Sequence, residues 1–198
     1  MTRIRFTAFV ILSMICVGCV SAQPAVVEVW RQFLGAPVER NYASLVARIS
    51  GSVSDCDWGS PVNEKVIPST IRHELFDKVA SGDDESFRVG VMVARCLDGG
   101  DLGDFFRSAG VYFEQRPLEF LETVRDAAVT EDTFESLLAT LPESLVDDLD
   151  GQIRATANRV RILEQLVTVE YEDLRALGIG ILRAQEQSLK FIAGRAAE

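Results

Sequence analysis

From Val27 to Ile192 the large apolar side chains of this chain recur three or four residues apart, with glycine or proline breaking the run at short intervals. That spacing places them on one face of an α-helix, because 3.6 residues make a turn, and it is incompatible with the two-residue alternation of a strand. Tyr42, Leu45, Val46 and Ile49 follow it, with Gly51 just past the expected end. Ile71, Leu75, Phe76 and Val79 follow it again and stop at Ser81-Gly82. Asp83-Asp84-Glu85 opens the next helix, since acids suit the positive end of a helix dipole. That helix, SFRVGVMVARCL, is apolar nearly all round and should be the most buried, ending at Gly99-Gly100 with Asp101 as the next cap. Leu102 to Phe113 continues the pattern with Gly110 as the expected break or kink. Pro117, Thr130 and Pro142 then mark three further starts, and a last helix carries Leu174 to Ile192 with a Gly178-Ile179-Gly180 that implies close packing.

The expected fold is therefore all-α. The stops at Gly51, Gly82 and Gly110 leave room for about one helical hairpin each, which suits an irregular array of antiparallel helix pairs, solenoid-like or a bundle. No internal repeat is visible at sequence level, and no linker interrupts residues 24–198. One helical domain over residues 23–198 is the expectation.

Ahead of it, residues 1–22 have the pattern of a signal peptide. Arg3 and Arg5 give a basic start, Phe6 to Val20 is uncharged, and Val20-Ser21-Ala22 offers a small-x-small exit before Gln23. The apolar run is too short to cross a bilayer core, which needs roughly 20 residues. Cleavage between Ala22 and Gln23 is the expected processing. Gly18-Cys19 supplies an alternative, lipidation at Cys19, which would leave the chain anchored at the envelope. Cys16 and Cys19 also form C-x-x-C, but a redox pair needs a helix start after a strand, and these two sit in the segment to be removed.

Export brings the remaining cysteines into an oxidising compartment. Cys56 and Cys96 are an even pair 40 residues apart, and a disulfide between them is expected. In the chain-entropy model closing a loop of that length contributes about 4 kcal/mol. It would pin the irregular stretch SGSVSDCDWGSPVN, residues 50–63, whose Trp58 is either a lid on the core or, with Asp55 and Asp57 on either side of Cys56, the candidate contact site for a partner.

The formal charge is −10, and removal of Arg3 and Arg5 makes the remaining chain more acidic still. Such a surface argues against nucleic acid and anionic membranes; it keeps the chain soluble or suits a basic protein partner. No transmembrane segment is expected in the processed chain. Catalytic groups are scarce. The single histidine, His73, lies off the apolar face of its helix. Phosphate-binding glycine loops and a G-x-S-x-G serine are absent, a zinc ligand set is missing, and DDLDG at 147–151 lacks the ladder of a calcium loop. No metal and no cofactor are expected. The reading that follows is an exported, periplasmic or secreted, non-enzymatic helical protein that binds another protein. A carboxylate-dependent hydrolase of envelope polymers is the enzymatic alternative, since acids are plentiful.

Overall fold

The structure, a computed structural model, describes residues 25–57 and 59–196. The processing sites at Cys19, Ala22 and Gln23, the whole of residues 1–22, and Trp58 lie outside the described residues. Those described form ten α-helices and no strand. They are α1 (Val26–Gly35), α2 (Glu39–Val53), α3 (Asn63–Val66), α4 (Ser69–Ala80) and α5 (Asp84–Val93). A 3-10 turn at Ala94–Cys96 leads to α6 (Gly99–Gln115), α7 (Pro117–Asp126) and α8 (Glu131–Ala139). A second 3-10 turn at Glu143–Leu145 precedes α9 (Leu149–Gln165) and α10 (Glu172–Ala196).

The starts are made as the residue types dictate. Asp83 Oδ1 accepts from the Ser86 amide at 2.8 Å and Thr130 Oγ1 from Thr133 at 3.3 Å, each satisfying an amide the helix itself cannot. Asp148 Oδ1 does the same for Gly151 at 2.7 Å, so the DDLDG stretch is a cap for α9. At the other end of α4, Gly82 takes φ +85, the left-handed conformation that closes a helix and that side-chain-bearing residues rarely adopt.

Four glycines do something other than the spacing implied. Gly51 lies inside α2, which continues to Val53. Gly99 and Gly100 begin α6, with Asp98 as its cap residue, in place of ending the helix before it. Gly110 produces no break in α6; it is there because a Cβ would sit 2.6 Å from both Arg159 Nη2 and the Thr140 carbonyl oxygen. The helix expected to run through Cys96 stops at Val93, and the remainder tightens into the 3-10 turn. In the Gly178-Ile179-Gly180 pair, the tight packing belongs to Gly178, against Leu138 and Leu163, while Gly180 faces open space.

Packing follows two rows. α1, α4, α6 and α8 touch in succession, and so do α2, α5, α7 and α10, with α9 laid along α10. α5, in the second row, also packs against α4 and α6 of the first, and six of its ten residues are buried, Phe87 and Val89 completely. Phe87 stacks on Tyr112 at 4.2 Å and on Phe120 at 5.3 Å, and Phe120 also meets Phe113 and Phe134. This aromatic column, at about 1.5–3 kcal/mol per fully buried ring, joins α5, α6, α7 and α8.

Candidate functional site

Two regions compete for the role. The first is the loop singled out from sequence. Cys56 and Cys96 form a disulfide with Cα atoms 5.0 Å apart, and both are buried. Asp55 and Asp57 are exposed on either side of Cys56. Inside the loop, Asn63 Nδ2 donates to the Asp57 carbonyl at 3.0 Å, and Trp30 Nε1 donates to the Val66 carbonyl at 2.8 Å. Arg72 reinforces the arrangement from α4. It reaches Glu64 at 2.6 Å and Asp101 at 2.5 Å, and its Nε donates to the Ile67 carbonyl at 3.2 Å. The loop is thus held at several points.

The second region is a cleft of about 1060 Å3 between α5, α6, α7 and the start of α8, with Tyr42 of α2 at its edge. Its floor is apolar, made by Val91, Met92, Leu102, Phe106 and Val129. Its rim is acidic, with Asp84 and Glu85 on α5 facing Glu119, Glu122 and Asp126 on α7; Arg88 and Arg95 are the only cations lining it. Arg88 is already engaged: its guanidinium lies 4.6 Å from the Tyr42 ring centre and pairs with Glu85 at 3.1 Å. Burial raises the Glu85 carboxyl above its ordinary value of 4.5, against the opposing pull of Arg88, and the neighbouring charges of Glu39 and Asp83 push the same way. Below the floor Tyr112 donates from its hydroxyl to Asp84 Oδ1 at 2.9 Å. Burial first, and then that hydrogen bond, hold the phenol protonated far above its usual range.

Of the residues chosen from sequence, none of those described lines the cleft, although Ala94 and Arg95 of its wall immediately precede the disulfide-bonded Cys96. His73 is exposed on α4, edge-on to Phe76, and takes no part in either region. Among the described residues no group of three or more His, Cys, Asp or Glu is placed to hold a metal ion, and no helix is long and apolar enough to cross a membrane.

Sequence reasoning missed the two buried arginines. Arg72 and Arg159 are 7 % and 0 % exposed. Both occupy the middle of an apolar face, Arg72 with Leu75, Phe76 and Val79, and Arg159 with Thr156, Val160 and Leu163. A charge at those register positions is the signal that would have found them. Arg159 Nε donates to Glu114 at 2.8 Å, and Nη1 donates to the carbonyls of Leu138 and Thr140 at 2.7 and 2.8 Å. Burial lowers its pKa, and the Glu114 carboxylate partly restores it.

Compared with known proteins, the chain matches no family model, no curated relative and no solved structure.

Proposed function

We propose that the protein is an exported, non-enzymatic helical module that binds another protein, and that the cleft between α5 and α8 is where it does so. The observation that carries the reading is the pairing of an apolar floor with a rim whose carboxylates outnumber its cations. Apolar area supplies affinity and the charged rim selects the partner and speeds its approach. The two rows of packed helices support the finer architecture, a short solenoid-like array of antiparallel pairs over residues 23–198. The basic start and small-x-small exit of residues 1–22 support a signal peptide, and the Cys56–Cys96 disulfide fits a periplasmic or secreted location. Lipidation at Cys19 remains the other processing route, and intact mass of the exported form separates the two.

The test is a substitution that fills the cleft. The processed wild-type chain should form a stoichiometric complex with one envelope protein, and Thr123→Trp should abolish it without lowering the melting temperature. An unchanged complex in that variant overturns the cleft as the binding site.

One observation favours the enzymatic reading. Glu85 is a carboxyl of raised pKa inside a cleft that holds other acids, the arrangement a general acid needs. Against it, the carboxylate already pairs with Arg88. Release of soluble fragments from envelope polymers, lost in Glu85→Gln, would replace the binding reading with this one.

A further inference from the structure

We propose that the occupant of the cleft is a basic amphipathic helix of about two turns presented by the partner protein. The inference rests on the binding reading above and adds the chemistry of what is bound.

Three observations set that chemistry. The first is spacing. Glu119, Glu122 and Asp126 stand three and seven residues apart on α7, so they form one ladder along the cleft, roughly 10 Å long at 1.5 Å per residue. Cations at i, i+3 or i+4 and i+7 of a facing helix repeat at the same interval. The second is size. A helix about 10 Å across takes up about 400 Å3 per turn, so 1060 Å3 is room enough for two turns. The third is unspent charge. Glu119 and Glu122 make no side-chain ion pair among the described residues, and Asp126 shares Arg125 with Glu170. Two unpaired carboxylates beside a half-shared third and an apolar floor attract a cation, and the apolar face of an amphipathic helix covers Met92, Phe106 and Val129 at the same time.

An extended peptide would use a sheet edge, and the described residues contain no strand to offer one. The helix-in-groove mode matches the spacing of the acidic ladder over the apolar floor.

The experiment uses the processed exported chain and a fluorescein-labelled 14-residue peptide with leucine at i, i+3, i+4 and i+7 and lysine elsewhere. Anisotropy should show saturable binding that weakens as salt rises. Glu119→Gln with Glu122→Gln should raise Kd by about tenfold. The control is Glu143→Gln with Asp147→Asn and Asp150→Asn, which removes at least as much charge away from the cleft and should leave Kd within about twofold. Far-UV circular dichroism verifies that both variants fold. Equal weakening by the two sets, equal binding of a peptide with glutamate in place of lysine, or no binding of the basic peptide would each overturn the proposal. If the basic peptide fails while the natural complex still depends on Thr123, the helix chemistry falls and the binding reading stands. If the natural complex is also absent, both fall.

Discussion

α6 and α8 each take part in two seams, and the two have opposite character. Toward α9 and α10 the seam is filled around Arg159, although a second hollow of about 670 Å3 opens at its outer end beside Pro142, Gln152 and Gln185. Arg159 threads between them, its guanidinium donating to Glu114, Leu138 and Thr140; Gly110 leaves no space for even a methyl group, and Gly178 packs closely on Leu138 and Leu163. Toward α5 and α7 the seam is open, with about 1060 Å3 left between apolar and acidic walls. Apolar content does not separate them, since both are lined by large aliphatic and aromatic side chains. Charge matching does. In the filled seam a cation meets acceptors supplied by the chain itself, whereas in the open one Glu119 and Glu122 find no cation of their own among the described residues. A protein can close a gap with a long side chain wherever it needs rigidity. Leaving one open, with carboxylates unmatched, is expected where something else arrives.

The largest effect should come from opening the filled seam. Arg159→Ala strips partners from a carboxylate and two carbonyls and leaves a void, and should lower unfolding free energy by about 3–5 kcal/mol in urea titration. Arg159→Met, which keeps the volume, should lose clearly less. A change under about 1 kcal/mol in Arg159→Ala would mean that the arginine does not close the seam.

Next is the staple at the cleft edge. Cys56→Ser with Cys96→Ser, or reduction of the wild type, should cost about 2–4 kcal/mol. Partner binding should weaken too, because the disulfide anchors Ala94 and Arg95. Two freely alkylated thiols in the native exported protein would remove this link.

A steric pair then sharpens the contrast. Gly110→Ala adds one methyl to the filled seam and should destabilise by about 1–3 kcal/mol. Thr123→Trp adds far more volume to the open one and should change stability by no more than about 0.5 kcal/mol. Similar losses in thermal melts would show that the two seams do not differ as described.

The smallest effect is electrostatic. Glu85 has a folded-state pKa above its unfolded one, so the native state binds that proton more tightly. Its contribution to stability is complete below the ordinary value of 4.5 and is lost as pH rises through the raised value. The loss should be a few tenths of a kcal/mol, since the group is partly exposed and paired. It should vanish in Glu85→Gln, and an identical pH profile in that variant would contradict the assignment.

Helix positions were legible in the sequence because burial imposes the 3.6-residue period locally. α4, with Ile71, Leu75, Phe76 and Val79 all buried, lies where the pattern put it. The disulfide was legible from the pairing of two cysteines. Glycines were misread because one residue type serves two ends: at Gly82 it frees the backbone, and at Gly110 it makes room for Arg159. The cleft was invisible, since it depends on which helices fail to meet, and no single segment encodes that. Asp55 and Asp57 stood out as a loop composition, whereas Glu119 and Glu122 look in sequence like any solvated helix face.

The central claim is that the open seam is where the partner sits. The direct measurement is site-specific photocross-linking in producing cells, with a photoreactive side chain in turn at Thr133 on the cleft, Asp55 in the pinned loop and Ser144 near the filled seam. The account predicts one adduct of defined mass at position 133 and none at the other two. An adduct at position 55 or 144 with none at 133, or no adduct at any of them, would contradict it.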